Sequence, residues 1–387
     1  MFPDFSSFGN LIAEEQLEIR DTMLRFAQQR LAPGAADRDR LHEFPADLIN
    51  ELAELGAMAM KVPADMGGSG IDNVSYALSI EALSRYDASV AVVAVASNLA
   101  ANILANHATD EQRERLVVPA ATGQLGALSF ALTEPAAGSD AAGIKTQAHQ
   151  DGDDWILNGS KQWITGGSHA RLYTVFAKTP TPDNPNLTSC FAVEAGTPGF
   201  SVGRVEDKMG LRSSGTAQLF FDGCRVSSAN LIGRAGEGMR VALSAISASR
   251  VAIAAQSIGI AERAFECGLE YARERQAFGK RVADFQNSRF ALADSRAELD
   301  QAWLLMLRAA HMLDNGRPIR GEASMAKLVG SETCGRVVDR MLQLHGGNGY
   351  SREYEIERLY RDARVMRIFE GTSEIQREII ARDLLQA

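Results

Sequence analysis

The apolar positions of this chain fall into three successive regimes. In the first, Leu17, Leu24 and Leu31 recur every seven residues, with Met23 and Ala27 on the same face. That spacing predicts an amphipathic helix. Pro45 suits the first turn of a second helix, whose positions Leu48, Leu52 and Leu55 precede a stop at Gly56. Asp65-Met66-Gly67-Gly68-Ser69-Gly70 reads as a loop, and helical spacing resumes after Asp72. Thr109 and Gln112 have the spacing of a capping box, followed by the apolar Leu116 and Val117.

In the second regime the apolar runs shorten to 128–132, 155–157, 173–177, 190–193 and 219–221. Asp151-Gly152, Asn158-Gly159 and Gly166-Gly167 supply turns between them, and 179–186 is a proline-rich loop. Short strands in a small β domain follow from that pattern. After Gly236 the helical period returns. Leu292, Leu299, Met306 and Leu313 stand seven apart with Trp303 beside them, and Gly316 and Pro318 close the helix. The helix before it, about 239–273, is rich in Ala, Ser and Gly, which permits close packing. Four long helices here predict an antiparallel bundle. The organisation is α+β and multidomain: a helical domain over 1–126, a β domain over 127–235 and a helical bundle over 236–387.

Composition narrows the function. A chain of 387 residues is too long for one ordinary core, and 45% hydrophobic with 23% charged residues is ordinary for a soluble protein. The net charge of −9 argues against nucleic acid as a partner, because phosphate binding needs a basic surface. Local Arg and Lys still permit an anionic ligand such as a coenzyme. Cys190, Cys224, Cys267 and Cys334 are scattered, and the six histidines do not pair at metal spacing. Neither a disulfide framework nor a metal site is expected, and the cysteine usage suits a reducing cytoplasm. Segment 1–10 lacks the pattern of a secretory leader, and no uninterrupted apolar run approaches membrane-spanning length, so no membrane insertion is expected.

Four segments carry candidate chemistry, and each has an ordinary reading. Thr133-Glu134-Pro135-Ala136-Ala137-Gly138-Ser139-Asp140 leaves backbone N–H groups open to an anion, yet a plain loop looks the same. Trp163-Ile164-Thr165-Gly166-Gly167 reads as a strand end with a core Trp. The cations of Arg273-Glu274-Arg275-Gln276-Ala277-Phe278-Gly279-Lys280 complement a helix C-terminus. Gln343-Leu344-His345-Gly346-Gly347-Asn348-Gly349-Tyr350 reads as a helix cap and turn, and Glu370 before Gly371 as a solvated acid at a helix start.

Taken together and in this order, with Phe369-Glu370-Gly371-Thr372-Ser373-Glu374-Ile375-Gln376 at the end, these segments resemble the acyl-CoA dehydrogenase family over nearly the whole chain. The resemblance implies a helical N-terminal domain, a middle β-barrel-like domain and a C-terminal four-helix bundle, assembled as a homotetramer. It also implies FAD as cofactor and an acyl-CoA substrate, oxidised to the trans-2-enoyl-CoA, with electrons passed to an electron-transfer flavoprotein. Glu370 then takes the α-proton. The other location of the base in this family corresponds to Ser249, which cannot serve.

The resemblance further assigns Phe130, Leu132, Thr133, Gly138, Ser139, Trp163, Ile164 and Thr165 to the flavin. It adds Arg275, Phe278, Gln286, Gln343, Gly346, Gly347, Thr372 and Glu374 as FAD-holding positions, several of them acting across a subunit interface. Ser139, Ser247, Arg250, Glu370 and Gly371 are implied to contact substrate. Ser247 stands where many relatives carry an aspartate, and Ala277 where some carry a threonine. The Ser247 departure leaves room for altered chemistry: an enoyl-CoA reductase, a desulfurising lyase, or a dehydrogenase of carrier-protein thioesters. A non-enzymatic flavin-binding regulatory protein is the reading from another class, and the acidic balance and Glu370 argue against it. Acyl chain length stays open, resting on helices around 90–104 and 239–251.

Overall fold

Both terminal thirds form helices along the expected apolar spacing. In the computed structural model, which describes residues 5–386, the first helical region comprises α1 (Glu14–Phe26), α2 (Ala35–Leu41), α3 (Ala46–Glu54), α4 (Asn73–Ser84), α5 (Ala88–His107), and the short α6 (Asp110–Gln112) and α7 (Val118–Ala121). The first four positions of segment 1–10, read above as lacking a leader, lie outside the described residues. Of the seven-residue stripe, Met23, Ala27 and Leu31 are buried, while Leu17 and Leu24 are half-buried. Aspartates start the two inner helices: Asp72 accepts from Ser75 N at 2.6 Å, and Asp87 from Ser89 N and Val90 N, both at 3.1 Å. The expected capping box forms, with Gln112 N donating to Thr109 Oγ1 (3.3 Å) and Thr109 N to Gln112 Oε1 (2.9 Å).

The middle of the chain forms β1 (Leu128–Ala131), β2 (Gln147–Asp151), β3 (Asp154–Ile164), β4 (Leu172–Lys178), β5 (Thr188–Glu194), β6 (Phe200–Val205), β7 (Ala217–Ser227) and β8 (Leu231–Ile232). They pair in the order β6-β7-β3-β2-β4-β5-β8, with β1 running parallel beside β4. Sequence reasoning missed β2 and β6 because their residues are mostly exposed and too polar to alternate. Asn158-Gly159, expected as a turn, lies inside β3 instead. There the β3–β7 register shifts between Leu157 and Gly159, and Gly159 has φ +145°. A Cβ on Gly159 would lie 2.7 Å from Thr146 Cα, so a bulge rather than a reversal uses this glycine.

The last third contains α8 (Gly238–Glu274), α9 (Gln286–Asp314), α10 (Arg320–His345), α11 (Glu355–Ala363) and α12 (Ser373–Gln386). Three of the four bundle helices are long. The fourth, α12, has only 14 residues and packs on α10. The bundle does not bury its core alone: Leu78, Ile80 and Val90 of α4 and α5 join Val251, Trp303 and Ala326 in one apolar cluster. The close approach is visible at Gly259 of α8, where a Cβ would meet Glu81 O at 2.3 Å. Two buried carboxylates brace the same interface. Glu81 pairs with Arg20 (2.9 Å) and Arg85 (2.5 Å), and Glu262 pairs with Arg296 (2.9 Å) and accepts from Trp303 Nε1 (2.8 Å).

A second apolar cluster ties β1 and β4 to α5 and to the start of α8, so the sheet is docked where those helices cross. Helices α5 and α8 are long and apolar enough by length and composition to span a bilayer, although polar residues such as Ser97, Asn98, Arg250 and Gln256 interrupt their apolar runs. Their apolar residues are instead mostly buried inside the protein.

Candidate active site

The chain segment between α11 and α12 holds a carboxylate in an unusual setting, that of Glu370. Glu370 and Gly371 both have positive φ, +54° and +90°. Glycine tolerates that region, whereas an L-residue is strained there by roughly 1–3 kcal/mol, so the surroundings must hold Glu370 in place. They do so through its carbonyls. Gln376 Nε2 donates to Glu370 O (3.0 Å) and Gly371 O (2.9 Å), and Lys327 Nζ of α10 donates to Gly371 O (2.8 Å). Thr372 then caps α12 by accepting from Ile375 N at 3.3 Å.

The result turns the Glu370 side chain inward. The residue as a whole is half-buried, but its Oε2 is sealed from solvent and has no hydrogen-bond partner among the described residues. Burial pushes the carboxyl up to about 7, against the opposing pull of Arg250 and then Lys327. Arg250 is buried on α8. Its Nη1 reaches Ser324 Oγ at 3.3 Å, while its Nε is sealed without a partner, as is the hydroxyl of neighbouring Ser249. Tyr76, buried on α4, lies close enough for the Glu370 charge to reinforce the rise that burial imposes on its phenol. The structure thus gathers Arg250, Ser249, Lys327, Tyr76 and Glu370 from four different elements. A sealed carboxylate near neutrality beside two cations can abstract a weakly acidic proton.

The loop after β1 is organised by Glu134, which sequence reasoning left without a role. Its carboxylate accepts from Lys145 N (2.6 Å), Thr146 N (3.0 Å) and the buried Lys161 Nζ (2.7 Å). Lys161 also donates to Leu132 O at 3.1 Å, and Gln162 N to Thr133 O at 2.9 Å. With this anchor inside, Gly138 and Ser139 face solvent while Leu132 is buried and Thr133 and Phe130 are half-buried. Trp163 is 54% exposed at φ +62°, next to buried Ile164 and half-buried Thr165, so the ordinary reading of a core Trp does not hold.

The remaining positions lie on other elements. α8 ends in a two-residue hairpin, Gln276–Ala277 against Lys280–Arg281, whose turn residues Phe278 and Gly279 have φ +52° and +74°. Both central residues of such a turn require positive φ, which leaves Phe278 96% exposed. Tyr271 of α8 stacks on His345 at the end of α10, with ring centroids 4.3 Å apart. Arg275 and the Gly346-Gly347 turn therefore share one end of the bundle. A Cβ at either of those glycines would meet nothing within 4 Å, and Gln286, Gln343 and Glu374 are also exposed. Among the described residues, no hydrogen bond joins this set to the β-domain set. Ser247 lies one turn before Arg250, its hydroxyl spent on Leu243 O at 2.8 Å.

Lys327, Tyr76 and Gln376 were missed by sequence reasoning. A signal existed for Lys327, a lone cation in the small-residue run Gly321-Glu322-Ala323-Ser324-Met325-Ala326-Lys327. Gln376 closes the segment of residues 369–376 already singled out, where it was given no role of its own, and no comparable pattern marks Tyr76.

Comparison with known proteins finds similarity along nearly the whole chain. The family models for the N-terminal, middle and C-terminal domains of acyl-CoA dehydrogenase match residues 13–124, 129–224 and 236–385. A probable acyl-CoA dehydrogenase of Bacillus subtilis (strain 168) is 42% identical, covering 97% of this chain and 99% of the relative. The mitochondrial short-chain specific acyl-CoA dehydrogenase of Rattus norvegicus is 40% identical, covering 97% and 91%. Among solved structures, butyryl-CoA dehydrogenase of Megasphaera elsdenii superposes with a TM-score of 0.94 at 37% identity, covering 97% of this chain and 99% of that one.

Proposed function

Because the chain belongs to the acyl-CoA dehydrogenase family, we propose that it oxidises a short, straight-chain acyl-CoA to the trans-2-enoyl thioester, with Glu370 as the base. The observation that carries this is the sealed, unpartnered Oε2 of Glu370, held in a strained loop and pushed up to about 7. The α-proton of a thioester is only weakly acidic in water. A desolvated carboxylate is a stronger base than a solvated one, and pinning its backbone removes the need to orient it at the moment of reaction.

Charge that develops on the thioester oxygen needs a donor. The Glu370 backbone N–H donates to no group among the described residues, which suits it to that role. Arg250, buried beside the base with a free Nε, would hold the pantetheine side of the substrate and keep Glu370 ionised. The short-chain preference rests on the names of the relatives, a short-chain specific acyl-CoA dehydrogenase and a butyryl-CoA dehydrogenase among them.

FAD fits the residues present. Trp163 offers an exposed ring, Gly138 and Ser139 an open loop, and Arg275, Phe278, Gly346 and Gly347 an unfilled surface at the bundle end. When bound, the flavin supplies the acceptor for the β-hydrogen and its electron pair. Phe130, Leu132, Thr133, Ile164 and Thr165 would line the same site, with Gln286, Gln343, Thr372 and Glu374 completing the hold. An exposed Phe278 on a strained turn suits a contact made with a second copy of this chain, and we assign the homotetramer on the family resemblance. We assign the electron-accepting partner to an electron-transfer flavoprotein and the working compartment to the cytoplasm.

The test is anaerobic titration of the yellow protein with butyryl-CoA, longer acyl-CoAs and branched acyl-CoAs. Bleaching strongest with the short straight chain supports the proposal. Bound flavin with no bleaching by any acyl-CoA would sink it.

A further inference from the structure

Lys327 is among the largest fully buried side chains of the protein, and a buried ammonium is costly unless something uses its charge. Among the described residues its one hydrogen bond goes to Gly371 O at 2.8 Å, an oxygen already served by Gln376 Nε2 at 2.9 Å. A second donor to a satisfied carbonyl explains little by itself, since a neutral amide would serve as well. What distinguishes the position is the charge it brings beneath Glu370. We propose that Lys327 is a positioning residue for the base, its ammonium charge keeping the Glu370 carboxylate ionised while its hydrogen bond holds the strained 370–371 backbone. The inference rests on the reading of Glu370 as the base.

The surroundings of Glu370 support this division of labour. Among the described residues, three charged or titratable groups face it: Arg250 from α8, Lys327 from α10 and Tyr76 from α4. Behind Lys327 lie Glu332 on its own helix and Glu374 on α12, and Arg320 lies behind Arg250. Arg250 sits toward the substrate side in the proposed mechanism, so its charge is shared with the ligand. Lys327 is buried on α10 with its hydrogen bond to the 370–371 loop, and Glu370 is the carboxylate that acts on it most strongly. Burial pushes Lys327 down to about 8, with Glu370 the largest opposing influence, ahead of Glu332 and Glu374. The two groups sustain each other's charge.

The experiment measures kcat/KM against pH for the flavin-loaded enzyme and for Lys327→Gln, Lys327→Arg and Glu370→Gln. Lys327→Gln keeps a donor and removes the charge. Its acid limb should move up by about one pH unit, with activity about tenfold lower at pH 6 and close to the parent well above the limb. Lys327→Arg keeps the charge and should leave the limb in place. A Gln variant whose profile superimposes on the parent would reduce Lys327 to a backbone pin and overturn the proposal. A Lys327→Arg limb displaced by a full unit would overturn it too, and does not depend on the Gln variant folding. Glu370→Gln separates the two levels. If it retains flavin but not turnover, the base reading stands and the Lys327 profiles decide alone. Substantial turnover in Glu370→Gln would remove both readings together.

Discussion

Lys161 Nζ lies 2.7 Å from Glu134 Oε1, an ion pair almost wholly sealed beneath the loop that exposes Gly138 and Ser139. Burial pushes the lysine down to about 8 against the pull of its partner. The carboxylate, opposed by the same burial, is held below its ordinary range by Lys161 and the 145–146 backbone. Removing one partner of such a pair leaves a buried charge uncompensated, which costs about 3–5 kcal/mol. Lys161→Met should therefore lower the midpoint of urea unfolding and weaken flavin retention together. The double change to Lys161→Met with Glu134→Leu should recover part of the loss. Denaturation curves with parallel flavin-release measurements check this.

The position of Glu370 predicts a pH dependence of turnover. A base must be ionised, and this carboxyl is pushed up to about 7. kcat/KM should rise roughly tenfold per pH unit below that value and level off above it. An acid limb near pH 4.5 would mean that the carboxylate is not desolvated in the free enzyme. Glu370→Gln should cost about 10²–10⁴ in kcat with the flavin spectrum retained.

Asp362 predicts a pH dependence of stability. It is buried, accepts from Leu211 N at 2.6 Å, and is pushed up to about 7 by burial despite the opposing Arg358. In the unfolded chain the same carboxyl titrates near 3.9. Between those values the folded state holds a proton that the unfolded state has lost, so stability falls as pH rises through that window. Glu370 contributes with the same sign. Asp362→Asn, neutral at every pH, should flatten that slope and be neutral or stabilising above pH 7. Thermal unfolding from pH 4.5 to 8 reads it directly.

Gly210 predicts a packing failure. A Cβ there would sit 2.4 Å from Arg361 O, where the segment between β6 and β7 docks on α11. Gly210→Ala should destabilise by about 1–3 kcal/mol, because backbone on both sides cannot yield. Gly138→Ala, whose Cβ meets nothing within 4 Å, should fold normally, and comparison of the two unfolding midpoints tests the contrast.

Phe278 predicts a surface effect. At 96% exposure it contributes almost nothing to the fold of a single chain. Phe278→Ala should leave the circular dichroism spectrum unchanged while weakening FAD affinity and self-association, measured by equilibrium dialysis and sedimentation. Unaltered affinity and mass would remove Phe278 from both roles.

The helical thirds were legible in the sequence because periodic apolar residues and Asp, Thr and Gly caps act locally. Asp72, the capping box at Thr109 and the stop at Gly316 all function as their spacing suggests. The polar strands β2 and β6 were not legible because their mostly exposed residues carry no apolar alternation, although β2 pairs with β3 in a local hairpin and β6 with β7 residues up to 21 positions away. Asn158-Gly159 shows the same limit. A dipeptide that often reverses a chain was drawn straight through a long strand by its pairing with β7.

At the site, the identity and order of the motifs, and Glu370 among them, were determined by the sequence alone. Spacing and residue type at those positions survive in one dimension. Whether Glu370 is a solvated acid or a sealed base was decided only by tertiary structure. Its basicity depends on burial and on Arg250, Lys327 and Tyr76, which stand 120, 43 and 294 positions away along the chain. Electrostatics inside a protein falls off with distance through space, and nothing in the local sequence of Glu370 records which charges the fold will bring to it.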